Sequence, residues 1–428
     1  MTQVVVVGGG FGGLLVGAEL KRRGADVVVL EADDRPGGVA GTVKEGGYLL
    51  EPAAGSLLLP HPAMSPILDA AAAEMVPAIS HKRFVYERST LYEAGPGAVL
   101  SRLVSWRAKF RAVREPWVKT PPEGDESLMA FFVRRLGPET GALAATLMAH
   151  GVFAGDPDQL SARAAFGKIV ALEDEAGSLV RGGLARRKQR PDGVPRASVH
   201  VPRFGMSDLA NRLASYLGAA YRPNWTVSGL SPVYGGWRVE GPGEIRADTV
   251  IVALAPSAAS AVVPPSVSDV LRIAVAAPVA VIGLGVPDLS LPDGFGALVG
   301  PNADVRILGA LFESSYAPAR APEGHALIKV IVGGSADPEI LELNDAGLVE
   351  LACTEVGRML GEAIHPTWTA TIRNQGIPQY NLGHMSWLAK LDTALDQHPN
   401  LHVAGWGYRG IGLTSLADDA VLIANRIA

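Results

Sequence analysis

"QVVVVGGGFGGLLVGAELKRRGADVVVLE" occupies residues 3–31. Its first five residues form a continuous β-branched run, the pattern of a parallel strand buried on both faces. Gly8, Gly10 and Gly13 then set out G-x-G-x-x-G around Phe11 and Gly12. The following residues read as a helix from Leu14 to about Arg23, stopped by Gly24, and Asp26–Glu31 read as a second buried strand. In such a unit Gly8 makes the tight turn, Gly10 admits a pyrophosphate to the backbone, and Gly13 lets helix and sheet approach. The helix N-terminus offers unpaired N–H groups and partial positive charge to phosphates. Glu31 ends the second strand, where an acid reaches ribose hydroxyls. The stretch therefore predicts a dinucleotide-binding βαβ unit, with an ordinary glycine-rich α/β turn as the weaker alternative.

The rest of the 428-residue chain is large enough for two or three domains. Hydrophobic residues make up 48% and charged residues 19%, enough for a large core. No uninterrupted apolar run reaches the roughly 18–20 residues of a spanning helix. A net charge of −5 gives no reason to expect nucleic acid as a partner. The single cysteine, Cys353, excludes an internal disulfide and any multi-cysteine metal site, and its apolar helical setting suggests a packed thiol. The chain reads at once into a strand, without the basic and short apolar segments of a secretory leader, so a cytoplasmic protein is expected.

The second strand continues as "LEADDRPGG" (residues 30–38). This resembles the E-x-x-x-R-x-G-G extension of the FAD-dependent amine oxidase and phytoene desaturase superfamily. The resemblance implies FAD and adds Ala32, Arg35, Gly37 and Gly38 to Glu31 as cofactor contacts.

From residue 99 the chain reads "VLSRLVSWRAKFRAVREPWVKTPPEG". Leu103, Trp106, Phe110 and Val113 follow roughly helical spacing among Arg102, Arg107, Lys109, Arg111 and Arg114. Such a helix either lies on a membrane surface or packs as a solvated helix on the body. "DESLMAFFVRRLG" and "ETGALAATLMAHGVFAG" read as further helices, and "RGGLARRKQRPDGVPR" (181–196) as a solvated loop. "SDLANRLASYLG" reads as a short helix. A hairpin is expected from "WTVSGL" and "GGWRVE", then a buried strand of the first domain in "ADTVIVALAP" (247–256), where Ala255 is a candidate cofactor contact. Residues 271–286 and 305–333 suggest a separate antiparallel sheet, and a helix carries Leu348, Leu351, Val356 and Leu360.

The expected fold is therefore α/β in several lobes. A Rossmann-like FAD domain (1–78, 196–258 and 388–428) is interleaved with an antiparallel-sheet substrate domain (79–98 and 259–387) and a helical, membrane-facing lobe (99–195).

Five stretches narrow the family: "GVFAGDPDQLS" (151–161), "DGFGALVGP" (293–301), "ILGALFESSYAPAR" (307–320), "GIPQYNLGHMSWLAKLDTAL" (376–395) and "AGWGYRGIGL" (404–413). In order along essentially the whole chain, they resemble the protoporphyrinogen and coproporphyrinogen oxidase family. That resemblance implies an FAD fold of the p-hydroxybenzoate-hydroxylase type, peripheral membrane attachment, and oxidation of a porphyrinogen. It implies hydride passing from a methylene bridge to flavin N5, with O2 as acceptor and H2O2 as product. No catalytic base is implied, and the sequence carries no convincing dyad or triad. The sequence also admits a homodimer.

Carried onto this chain, the resemblance makes Arg83 a propionate clamp, a task suited to an always-charged bidentate donor, where spacing alone would leave a surface arginine. Gly151 would lie near the reacting carbon, with Phe295, Gly296 and Leu298 as apolar wall. Val227 would meet the adenine. Gly405, Trp406, Gly412, Leu413 and Thr414 would meet the flavin, with the last helix aimed at its N1–C2=O edge. The chain also departs from the family. Ala53 and Ala54 stand where Gly-Pro is usual, and "RFGMSDL" where a glycine pair is. "IRNQG" leads into "IPQY" without the usual tryptophan. Ala317 replaces an aromatic, with Tyr316 beside it, and Trp406 replaces an asparagine. Retention of Arg83 and of 293–301 favours a porphyrinogen. Ala317 and Trp406 favour a paralogue oxidising another heterocycle or an amine.

Overall fold

The computed structural model describes residues 3–95, 101–118, 124–189, 193 and 195–427. Five parallel strands form its first sheet, in the order Tyr221–Arg222, Asp26–Leu30, Gln3–Val7, Thr249–Val252, Leu401–Val403. Strand residues alternate faces, and both faces of this sheet are covered. Val4 and Val6 pack with the helices Phe11–Arg22, Met206–Leu217 and Leu413–Ile427, whereas Val5 and Val7 pack with Trp237, Val239, Leu271 and Leu391. The unbroken valine run of the first strand thus serves two cores.

A second, seven-stranded sheet runs Trp368–Pro378, Ala276–Pro287, His325–Gly333, Gly309–Phe312, Gly296–Val299, Arg83–Glu87, Thr90–Ala94. The sequence predicts an antiparallel sheet, and the structure departs from this at one pair: Arg83–Glu87 runs parallel to Gly296–Val299. Residue 271 ends the helix Pro265–Leu271, and the long strand begins only at Ala276. The helix Asp345–Leu360 covers this sheet with Leu348, Ala352 and Val356. Cys353 is half-buried against the same core, and burial pushes its thiol up.

The expected hairpin forms, but its first strand is Gly229–Val233 rather than 225–230. Trp225 instead donates its backbone N–H to Glu31 O at 2.7 Å and ties the connection to the end of the second strand.

The helical region holds Trp106–Val113, Leu128–Leu136, Pro138–Met148, Ala162–Ala176 and Leu179–Lys188. The last corrects the reading of 181–196 as a loop. Ser178 caps this helix by accepting from Arg181 N, and Gly182 lets it approach Leu172 too closely for a side chain. Arg186, Arg187 and Lys188 complement the dipole of its last turn. Residues 190–192 and 194 lie outside the described residues, as do 99, 100 and 119–123 of the basic stretch. Leu103 precedes the helix Trp106–Val113 and is buried with Val85 and Leu143. Trp106, Phe110, Val113 and Trp117 are 65–73% exposed, so they form an uncovered apolar face rather than a packed one. Among the described residues no helix is long and apolar enough to cross a membrane.

Candidate functional site

The first glycine turn has the geometry its spacing predicts. Gly8 takes φ +106°, and a Cβ on Gly13 would lie 1.9 Å from Gly8 O. The helix Phe11–Arg22 begins at Gly10 with no side-chain cap, so its first N–H groups stay free for a ligand. Glu31 is buried. Its Oε2 accepts from Gly9 N at 2.6 Å and its Oε1 from Asp33 N at 2.8 Å. Gly37 and Gly38, both at positive φ, run beside Gly9 and Gly10. Gly37 N donates to Gly9 O at 2.9 Å, and a Cβ on Gly38 would come within 3.3 Å of Gly10 Cα. Arg35 reaches back to Gly38 O at 3.4 Å, and Ala32 is exposed beside it.

The second glycine turn closes on the first. Gly405 takes φ +117° and lies against Gly12. Its N–H faces the Asp419 carboxylate, whose pKa burial pushes up. Trp406 packs on the core that holds Phe11 and Leu413, and its Nε1 is buried without a partner. Tyr380 fixes the turn from outside: its hydroxyl donates to Trp406 O at 2.6 Å and accepts from Gly410 N at 2.9 Å. The helix Leu413–Ile427 begins here, with Gly412 exposed, Leu413 buried and Thr414 between the two. Val227 is half-buried two residues beyond Trp225, at the Glu31 end, and Ala255 is exposed where the strand Thr249–Val252 gives way to the helix Pro256–Ala259.

A dinucleotide fits these residues. Two side-chain-free turns meet, one helix N-terminus is uncapped, and two buried donors lack partners among the described residues. The first donor is Trp406 Nε1. The second is the Tyr221 hydroxyl, beside Gly9 and pushed up to about 12 by burial and by Glu31.

The expected substrate residues also come together. Phe295 N donates to Lys82 O at 2.7 Å, which sets Phe295 beside the start of Arg83–Glu87. The exposed Arg83 guanidinium lies 5.8 Å from the Phe295 ring. Gly296 begins its strand where a Cβ would strike Ala310 O, and Leu298, two residues on, meets Gly151 with 2.8 Å to that glycine's would-be Cβ. Gly151 sits in a π turn, Ala149–Phe153. Tyr316 differs from expectation. It is 1% exposed, stacks behind Phe295 at 4.2 Å, and bonds Glu313 through its hydroxyl, so it supports the wall rather than presenting a face. Ala317 is interior too, packed with Ala78, Val199 and Val201.

Three residues escaped the sequence reading. His150, next to Gly151, has a buried Nδ1 without a partner, and burial lowers its pKa. Tyr380 gave no signal beyond its place in "IPQY". Lys329 is the charged residue inside "ALIKVIVGG", a visible break in an apolar strand. A cavity of about 530 Å³ lined by Asp392, His402, Arg409, Asp419 and Arg426 includes none of the expected substrate residues. It therefore says nothing about the wall built on Phe295.

Residues 11–426 match the family model described as flavin containing amine oxidoreductase. The chain is 30% identical to the chloroplastic protoporphyrinogen oxidase of Oryza sativa, over 99% of this chain and 88% of the relative. It is 26% identical to the coproporphyrinogen III oxidase of Bacillus subtilis, over 97% and 96%. A solved structure of a candidate protoporphyrinogen oxidase from Exiguobacterium sp. 255-15 superposes with a TM-score of 0.81 at 22% identity, over 100% and 98%.

Proposed function

Because the chain belongs to the flavin containing amine oxidoreductase family, we propose that this flavoenzyme is an FAD-dependent oxidase of a porphyrinogen. Protoporphyrinogen and coproporphyrinogen are its two candidate substrates. FAD, when bound, would supply a two-electron hydride acceptor with O2 as the terminal oxidant, and three such rounds, each giving one H2O2, would take a porphyrinogen to a porphyrin. Gly8, Gly10, Phe11, Gly12 and Gly13 would hold its diphosphate, with Glu31 at the ribose and Val227 at the adenine. Arg35, Gly37 and Gly38 would line the chain between, and Gly405 to Thr414 the redox end. The division into interleaved FAD, substrate and helical regions belongs to the same proposal.

The observation that carries the reading is the Arg83 guanidinium poised 5.8 Å from the Phe295 ring, at the edge of the wall that continues through Leu298 to Gly151. A flat apolar face with a carboxylate-binding cation at its rim suits a macrocycle bearing propionates. Arg83 would anchor the acid and Phe295 the ring, while the close Gly151–Leu298 contact excludes water from the reacting face.

Incubation with protoporphyrinogen, and separately with coproporphyrinogen, under air tests the reading. Fluorescent porphyrin should form faster than by autoxidation, with H2O2 released. No acceleration by flavin-loaded protein would reject it.

A second reading, oxidation of another heterocycle or of an amine, is favoured by the interior Ala317 and by Trp406. The exposed Trp106, Phe110, Val113 and Trp117, flanked by Arg107, Lys109, Arg111 and Arg114, support a peripheral membrane contact.

A further inference from the structure

Lys329 lies in the strand His325–Gly333, surrounded by apolar residues and only 5% exposed. Burying an ammonium is costly unless it is paired and hydrogen-bonded. Here it donates to Glu51 O at 2.9 Å and to Ala53 O at 3.2 Å, and lies 3.4 Å from Glu313 Oε1. Its neighbours complete a row. Asn374, from the strand Trp368–Pro378, donates to Pro52 O at 3.0 Å, and Arg320 donates to Gly55 O at 2.8 Å. Three side chains associated with the seven-stranded sheet thus hold four carbonyls of residues 51–55.

The same segment is fastened to the cofactor side. The Glu51 carboxylate accepts from Met206 N at 2.9 Å, at the start of the helix Met206–Leu217, and Ala53 packs on the core that includes Phe11, Leu413 and Trp406. Glu313 in turn accepts from the Tyr316 hydroxyl at 2.7 Å and pairs with Arg320, and Tyr316 stacks behind Phe295. A continuous path therefore runs from the wall at Phe295, through Tyr316, Glu313 and Lys329, to a segment that packs on the core shared by Phe11, Leu413 and Trp406.

We propose that Lys329 is a positioning residue: its Nζ, by donating to the carbonyls of Glu51 and Ala53, locks residues 51–55 in the conformation that receives the flavin and joins that segment to the Phe295 wall. The inference rests on the flavin of the family, not on the identity of the substrate. An apolar side chain at 329 would satisfy the sheet core but leave the carbonyls of Glu51 and Ala53 unheld. The groups facing the ammonium are Glu51, Glu313, Arg320 and the Tyr316 hydroxyl. Burial and Arg320 bring the Lys329 pKa down to about 7, with Glu51 opposing.

The test is FAD titration of the full-length apoprotein with Lys329→Met, Lys329→Arg and Asn374→Ala, together with the reduction potential of the bound flavin. Lys329→Met should weaken FAD binding about tenfold, the scale of a lost charged hydrogen bond, and should shift the potential. Lys329→Arg should recover most of the affinity. The wild-type dependence of FAD affinity on pH between 6 and 8 should vanish in Lys329→Met. Wild-type affinity, potential and pH profile in Lys329→Met would overturn the proposal. If Lys329→Met does not fold, Asn374→Ala decides: weaker FAD binding at unchanged thermal stability supports the carbonyl row, and unchanged binding overturns it. These readouts need no substrate, so they stand or fall apart from the porphyrinogen assay.

Discussion

A Cβ built on Gly12 would lie 3.2 Å from the Cα of Gly405, a residue nearly four hundred positions away. The glycine turn that opens the chain and the one near its end therefore form one surface. Their helices meet behind it, through Leu14, Leu416 and Ala420 in a common core.

Two glycines of the first turn, Gly12 and Gly13, should respond differently to a methyl group. At Gly13 the Cβ would collide with fixed backbone, and Gly13→Ala should cost about 1–3 kcal/mol as overpacking. At Gly12 the neighbour must move only a few tenths of an ångström. Gly12→Ala should leave stability within about 1 kcal/mol while weakening FAD binding. Urea denaturation and FAD titration separate the two. Unchanged FAD binding in Gly12→Ala would mean that the two turns do not form one surface, and equal destabilisation of the two variants would mean that Gly405 cannot give way.

Arg83→Ala should raise KM for a propionate-bearing porphyrinogen by roughly 10- to 100-fold, the scale of a charged hydrogen bond to a carboxylate, with kcat little changed. Arg83 is exposed and opens the strand Arg83–Glu87, so folding should not suffer. Steady-state kinetics decide, and an unchanged KM rules out the clamp.

Trp406→Asn distinguishes the two substrate readings. Tyr380 holds the carbonyl of residue 406, not its side chain, so the turn should persist. On the porphyrinogen reading the smaller residue should change kcat/KM for protoporphyrinogen by about tenfold, the scale of a reshaped pocket. On the other reading porphyrinogen oxidation should be absent in both proteins.

The triple variant Trp106→Ser, Phe110→Ser, Trp117→Ser should lose at least about tenfold in binding to phosphatidylglycerol-rich vesicles, since burying each aromatic contributes about 1.5–3 kcal/mol. Binding of the parent should fall with salt, because Arg107, Lys109, Arg111 and Arg114 contribute Coulombic attraction. Co-sedimentation measures both. Equal binding by parent and variant means that the face does not meet lipid.

Lys329 makes a signed pH prediction. Its folded pKa of about 7 lies below the 10.5 of a free lysine, so between these values the unfolded chain binds more protons. The contribution of Lys329 to stability therefore grows as pH rises from 7 towards 10.5. Wild type should gain on Lys329→Met between pH 7 and pH 9 in urea unfolding. A constant gap would mean that the ammonium titrates normally.

The local part of this protein was legible in the sequence. Residues 3–31 announced strand, turn, helix and strand, because each glycine there answers a short-range steric demand and the valines are buried on both sides. The register between Gly12 and Gly405 was not legible, since no local pattern says which distant turn will close a sheet. The helix Leu179–Lys188 was hidden by its glycines and arginines; only the packing of Gly182 on Leu172 shows why a glycine serves there. Trp106, Phe110 and Val113 looked like one amphipathic face with Leu103, yet tertiary structure buried Leu103 and left the others open. Tyr316 carried an aromatic beside the family's position, and only burial moved it behind Phe295. Lys329 was visible as one charge in an apolar strand. What it holds, the carbonyls of Glu51 and Ala53, depended on a segment almost three hundred residues earlier. The sequence by itself determined which elements form and which cofactor chemistry they suit, because strands, helices and phosphate turns are set by neighbours. Tertiary structure alone decided which of those elements face one another, because a buried charge or an open aromatic face is a property of what packs against it.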